Sequence, residues 1–402
     1  MGAICANPAA APAFYDEILS SDLALSGLTK SAGSSLVPDL QAQDQRFARA
    51  FAILEDAIRQ QAFPCASIAV THGGKLVARK ALGSFTYGAS PRATPETVFD
   101  VASLTKVVAT STMAAIQHER GGLALAAPLV EMTPEFSGND TRRSEVTLRM
   151  LLAHSSGLPA YEKLFLRATT RDALLEEAFS VPLKHAPGTH SEYSDIGFIL
   201  LGLGLERFAK EPLDRFCQRE IFGPLGMAAT AFTPPESWRS KIPPTADDRT
   251  FRKRIIQGEV QDENASVMQG IAGHAGLFST AADLASFAHA MLSGGKPILG
   301  SDTLATFTQR QDQPPGTSRA LGWDTPSRPS QSGRYFSDSA FGHLGYTGTS
   351  LWIDPERQLS ITLLTNRTWP DSTNQAIKQV RPRFHDAVIE SLETSPYVRC
   401  DH

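Results

Sequence analysis

Apolar positions recur at helical spacing from Phe47 through Ala50, Ile53, Leu54, Ala57 and Ile58, and the pattern stops before Pro64. The next stretch, CASIAVTH, then Gly73 and Gly74, then KLVARKALG, reads as a β-hairpin. Residues 101–270 have a different texture. Helical periodicity over 104–118, 147–152, 171–179 and 196–208 alternates there with long loops rich in proline and glycine. A helix over 281–291 follows. Two β-branched runs, TGTSLWIDPE and RQLSITLLTNR, then predict a second hairpin turning at Asp354 and Pro355. An amphipathic helix over 375–392 closes the pattern. The expected class is α+β: an antiparallel sheet flanked by helices, with an α/β lobe (45–100 plus 271–395) and an inserted helical lobe (101–270). Residues 1–44 mix Ala, Ser, Gly and Pro with little periodicity and are expected to form a loose N-terminal extension to the 45–395 domain. No repeat of 20–50 residues is visible, which argues against a solenoid or propeller.

Composition narrows the function. Of 402 residues, 42% are hydrophobic, enough for a large core. A net charge of −4 argues against a nucleic-acid partner, whose backbone would call for a basic face. No run of about 18 apolar residues occurs, so no membrane span is expected. The N-terminus lacks a basic n-region and a long apolar h-region, so a cytoplasmic location is expected, or a periplasmic one if a leader has been trimmed. Cys5, Cys65, Cys217 and Cys400 form no CxxC pair, so free, buried thiols are expected rather than a zinc ribbon or disulfide framework. HExxH and comparable spacings are absent, and neither a catalytic metal nor a cofactor is expected.

The candidate chemistry begins at Ser103 and Lys106. Their spacing sets both side chains on one helix face. A serine hydroxyl needs an adjacent base, and a lysine amine can be that base if burial lowers its pKa. The start of a helix offers a free N–H to a developing oxyanion. The motif alone is weak, because an N-cap serine beside a solvated lysine would look the same. A second SxxK, Ser293 to Lys296, falls in a Gly-rich loop that fixes no shared face. Tyr193, Ser194 and Asp195 open a second, apolar helix, and a phenol there could relay the serine proton if lysine and the helix dipole lower its pKa. His343-Leu344-Gly345-Tyr346-Thr347-Gly348 leads into SLWID, a strand edge able to supply a second oxyanion donor.

These three elements, in this order, resemble the SxxK, YxN and KTG boxes of the penicillin-recognising serine enzymes. The tyrosine form of the second box is similar to class C β-lactamases, DD-peptidases and related carboxylesterases and D-aminopeptidases. GEVQDENA, GHAGLFSTA and LTNRTWP resemble a subgroup that includes a muropeptide amidase acting on N-acetylmuramyl-L-alanine bonds. The resemblance implies a β-lactamase/transpeptidase-like fold, with Ser103 as nucleophile and Lys106 and Tyr193 as the proton-transfer pair. It further implies an oxyanion hole from the N–H groups of Ser103 and Tyr346, and substrate contacts from Asp195, His343 and Gly345.

Two departures matter. Asp195 stands where β-lactamases carry an asparagine amide; it can pair with Lys106, or simply cap its helix. Leu344 stands where a threonine commonly anchors a substrate carboxylate. Among other polar residues, His154 reads as a structural histidine and His274 as either a cleft or a turn residue, while Asp262, Glu263 and Asn264 read as a solvated acidic loop. The leading expectation is an acyl-enzyme hydrolase of a muropeptide amide, a D-amino-acid peptide or a carboxylic ester. The alternatives are a true class C-like β-lactamase and a non-catalytic binding or assembly protein. The sequence is silent on oligomeric state.

Overall fold

The computed structural model describes residues 36–393 except 89 and 328. Its centre is a six-stranded sheet. Strands β1 (Val37–Pro38), β2 (Cys65–His72) and β3 (Lys75–Gly83) come from the first part of the chain. Strands β4 (Phe341–Leu344), β5 (Ser350–Asp354) and β6 (Leu359–Thr365) come from the last. The order is β1-β3-β2-β6-β5-β4, antiparallel throughout except for the two-residue parallel pairing of β1 with β3. Residues 36–44, assigned by sequence to the extension, therefore include a sheet strand and the start of a short helix. The remainder of that extension lies outside the described residues.

Strand alternation separates two cores. Ile68 and Val70 of β2, Trp352 of β5, and Ile361 and Leu363 of β6 face helices α1 (Ala48–Arg59) and α6 (Ile377–Glu393), where Phe51, Leu54, Phe384 and Val388 meet them. Ala69, Leu351, Ile353 and Leu364 point to the other face. There they join the large core that also holds helices α2 (Thr112–Glu119), α3 (Arg171–Ser180), α4 (Asp195–Ala209) and α5 (Ala281–Leu292). A period of two with both faces apolar is what a sheet covered on both sides demands. No helix among the described residues is long and apolar enough to cross a membrane. Cys65 and Cys217 are free and buried; Cys5 and Cys400 lie outside the described residues.

Helix starts follow local chemistry. Thr170, Ser194 and Thr280 each accept a backbone N–H of the first turn, from Ala173, Gly197 and Asp283. The helix expected over 104–118 is less regular. It opens as a 3-10 turn (Ala102–Leu104), widens into a π turn (Lys106–Ser111) and only then becomes α2. Among the described residues, 101–270 also contributes short strands. Ala231–Phe232 pairs with Leu277–Ser279, which pairs in turn with Phe99–Asp100, and Ala246–Asp248 pairs with Arg254–Ile256. These strands of two or three residues carry no alternation long enough to register in a sequence pattern.

Candidate active site

Ser103 follows a strained residue. Ala102 has φ +48°, a left-handed conformation that an alanine adopts at a cost on the order of 1 kcal/mol. Asp100 holds it there: one carboxylate oxygen accepts the Ala102 N–H at 2.8 Å and the other accepts the Gln261 N–H at 2.7 Å. Asp100 is buried, and burial pushes its carboxyl up to about 6. This turn aims Ser103 into a cavity of about 730 Å³.

Lys106 is fully buried. Its ammonium donates to Ser103 Oγ at 3.0 Å, Asp195 Oδ1 at 2.6 Å and the His274 carbonyl at 2.9 Å, which uses all three donors. The carbonyl reaches Lys106 because Gly273 packs against α4. A Cβ at that position would sit 2.2 Å from the Phe198 carbonyl oxygen. The Tyr193 hydroxyl contacts both Lys106 and Ser103. Its ring lies 4.5 Å from that of His154 and 5.8 Å from that of His343, with the Arg319 guanidinium 5.3 Å from its centroid.

The protonation pattern differs from the expected one. Burial would push the Lys106 ammonium down, but Asp195 and Tyr193 outweigh it and the net direction is up. Burial pushes the Tyr193 phenol up, and Lys106 only partly opposes it. Both directions favour an ammonium and a neutral phenol in the resting site, so the condition that sequence set for the relay, lowered pKa values at Lys106 and Tyr193, is not met there. Asp195 is not the helix cap; Ser194 caps α4, which frees the Asp195 carboxylate for Lys106.

The third element closes the site. Thr347 Oγ1 donates to the Asp100 carbonyl at 2.8 Å and Thr349 Oγ1 to the Val101 carbonyl at 3.0 Å, tying the β4–β5 turn to the segment before Ser103. Gly345 is required from behind: a Cβ there would lie 1.9 Å from Thr349 Oγ1 and 2.6 Å from the Val101 carbonyl oxygen. Gly345 also lines the cavity. Among the described residues, the backbone N–H groups of Ser103 and Tyr346 donate to no protein acceptor, whereas those of Leu104, Gly345 and Gly348 are all bonded. Thr347 belongs to the third element read from sequence; Thr349, two residues on in the same GYTGTS stretch, was not singled out.

His343, on β4, is buried. Its Nδ1–H donates to the Leu344 carbonyl at 2.8 Å, and burial, reinforced by Lys106 and Arg319, holds its pKa well below the ordinary value. A neutral, inward-bonded imidazole does not replace the cation of the third box. Cations enter from elsewhere: Arg319, Arg367, Lys378 and Arg381 all line the cavity. Arg381 is buried and held down to about 9, by burial first and then by Arg367. Among the described residues, neither Arg367 nor Arg381 faces a carboxylate. Their bonds go to the carbonyls of Tyr346, Ser372, Asn374 and Thr349 and to the Gln331 amide.

The acidic loop is not solvated. Asn264 is buried and bridges the Glu162 carbonyl and the Phe165 N–H. Asp262 accepts the Ala265 N–H and meets His274 Nε2 at 2.9 Å. Burial opposes ionisation of Asp262, but His274 outweighs it and keeps the carboxyl low. Glu263, which burial pushes up, lines the cavity with them. His154 accepts the Ser194 N–H at Nδ1, a structural placement behind Tyr193. Ser293 and Lys296 are separated by two left-handed glycines, and neither lines the cavity.

Comparison with known proteins identifies the family. The family described as Beta-lactamase matches residues 46–381. An N-acetylmuramyl-L-alanine amidase of Bacillus subtilis (strain 168) is 31% identical over 343 residues, spanning 76% of this chain and 77% of the relative. A protein of Escherichia coli (strain K12) named "Putative D-alanyl-D-alanine carboxypeptidase" is 30% identical over 347 residues, spanning 76% of this chain and 79% of its own. Among solved structures, "EstCE1, a hydrolase with promiscuous acyltransferase activity" superposes with a TM-score of 0.72 at 20% identity, covering 87% of this chain and 100% of that one. A class C β-lactamase from Rhodobacter sphaeroides gives 0.66 at 22% identity, covering 86% and 99%. The matched span includes both halves of the sheet, Ser103, Lys106, Tyr193 and the strand before Tyr346, and the chain belongs to the β-lactamase family of serine hydrolases.

Proposed function

We propose that this enzyme cleaves an amide of muropeptide or D-amino-acid peptide type through an acyl-enzyme on Ser103. The observation that carries the reading is the Lys106 Nζ, 3.0 Å from Ser103 Oγ, beside two unbonded N–H groups held together by Thr347 and Thr349. Ser103 Oγ attacks the carbonyl carbon while its proton passes to Lys106, in the fraction of molecules where the amine is free. The oxyanion is received by the N–H groups of Ser103 and Tyr346. Tyr193 gives its proton to the departing nitrogen and recovers one from Lys106. The amine leaves, and water hydrolyses the acyl-enzyme by the reverse sequence of proton transfers.

The cavity is lined by charges of both signs, and this favours a charged peptide over a simple ester. Asp195, Asp262 and Glu263 line it, as do Arg319, Arg367 and Arg381. A leaving group with a free carboxylate suits the guanidinium groups that face no carboxylate of the protein. The activities named for the amidase and carboxypeptidase relatives are of this kind, and on this reading they extend to the present chain. A fluorophosphonate label, followed by mapping of the modified peptide, tests the nucleophile. A panel of muramyl peptides, D-alanyl peptides, nitrophenyl esters and a chromogenic cephalosporin tests the substrate. Label on any residue but Ser103, or an ester preferred over every amide, would overturn the reading.

A further inference from the structure

Outside the catalytic cavity, the loop 181–194 that delivers Tyr193 brings together His185, His190 and Glu192. One ligand atom from each lies within 4.8 Å of the others. The imidazole rings of His185 and His190 are 4.3 Å apart, and His185 Nε2 is 3.4 Å from Glu192 Oε2. His185 and Glu192 are half-buried and His190 is exposed, so the cluster opens to solvent.

The loop has no regular secondary structure, yet its backbone is pinned. The N–H groups of Lys184, Gly188 and Glu192 donate to the carbonyls of Gly157, Ser155 and His154 at 2.8, 2.8 and 2.9 Å. Gly157 packs so closely that a Cβ there would sit 2.3 Å from the His185 carbonyl oxygen. The three side chains therefore project from fixed anchors, which limits the ordering a bound ion must impose.

We propose that His185, His190 and Glu192 form a site for a divalent transition metal of the zinc class. Two imidazoles and a carboxylate match the nitrogen and oxygen preferences of Zn²⁺, and the solvent side leaves room for water as a further ligand. Ligands about 2.0–2.1 Å from a tetrahedral ion lie roughly 3.4 Å from one another, so closure needs a side-chain shift on the order of 1 Å. Lys184, which now bonds both Glu192 oxygens at 2.9 and 3.0 Å, would have to release that carboxylate. An exposed ion pair of this kind is weak enough to be displaced by a metal. The spacing His-x4-His-x-Glu matches no familiar sequence motif, and the site arises from the fold of the loop. It lies apart from the proposed acyl-transfer chemistry and stands or falls independently of it.

The test is titration of the intact, metal-stripped protein with Zn²⁺ by calorimetry, and with Co²⁺ by visible absorption. One equivalent should bind with micromolar or tighter affinity, and Co²⁺ should give the bands of a low-coordinate nitrogen/oxygen site. His190→Ala, at an exposed position, and Glu192→Gln should each weaken binding at least tenfold, while His118→Ala, on α2, should not. Lys184→Ala should tighten binding by freeing Glu192. Absence of a stoichiometric site, or unchanged affinity in His190→Ala, would overturn the proposal.

Discussion

Asp195 is the residue at which this site departs furthest from a β-lactamase pattern, and it carries a directional prediction. Its carboxylate raises the Lys106 pKa, so it keeps the proposed base protonated near neutrality. The wild-type kcat/KM should rise with pH as the amine is released. Asp195→Asn removes a raising influence, so the lysine pKa falls and the rise should move to lower pH by about one unit or more. A pH–rate profile that does not move would mean that Lys106 is not the titrating group. Ser103→Ala should cost on the order of a million-fold in kcat, while Ser293→Ala should leave activity unchanged. Asp100 makes a different prediction, on stability. Its folded pKa of about 6 lies above the unfolded value near 3.9, so the folded state binds more protons between those limits and stability falls as pH rises through them. The loss is on the order of 3 kcal/mol between pH 4 and 7, and urea melts of Asp100→Asn should show a flatter dependence.

At the scale of elements, the β4–β5 turn and the segment before Ser103 act as one clamp, joined by two threonine hydroxyls. Thr349→Val keeps the volume but loses the bond to the Val101 carbonyl. It should lower kcat by about tenfold to a hundredfold with little change in KM, because the Tyr346 donor would lose its aim rather than its chemistry. Equal changes in both constants would place the effect in substrate binding instead. The elements themselves were largely legible. Strands β2, β3, β5 and β6 lie within the runs read from alternation, and α3 to α6 agree within two residues with helices read from spacing. The widened turn at Lys106–Ser111 was not legible, since all six residues are buried and leave no polar face whose spacing could tell a π turn from an α turn. Nor were the roles of Thr347, Thr349 and Asn264, because a hydroxyl or amide that bonds a distant carbonyl leaves no local periodicity. The charge state of Lys106 was not legible for a related reason: burial and residues distant in sequence set it.

At the scale of the whole molecule, the proposed substrate preference rests on the charged lining of the cavity rather than on any one box. The third box lacks a hydroxyl at Leu344 and a charge at His343, and the cations come from Arg319 and from Arg367 and Arg381 beyond the sheet. Penicillins and cephalosporins should therefore be turned over weakly or not at all, in contrast to peptide-like amides. Leu344→Thr should raise β-lactam reactivity more than amide reactivity, by roughly tenfold to a hundredfold, the equivalent of a hydrogen bond to a charged group. A wild-type enzyme already faster on a cephalosporin than on any amide would contradict this.

The short strand β1 has a consequence for self-association. A bare sheet edge is a template on which a second chain can add a strand. Here the outer edge of β3 is occupied along its length. Val37 and Pro38 pair with Lys75 and Leu76, the Asp39 N–H donates to the Leu76 carbonyl, and the Gln43 amide oxygen takes the Arg79 N–H. The Ala93 N–H then donates to the Gly83 carbonyl. Pro38, without an N–H of its own, offers little on which to extend the sheet further. At the opposite edge, Gly342 exchanges both its backbone bonds with Asp324. Chains shortened past Asp39 should uncover the first of these edges and aggregate faster on refolding, even where the catalytic cavity, on the far side of the sheet, is left untouched.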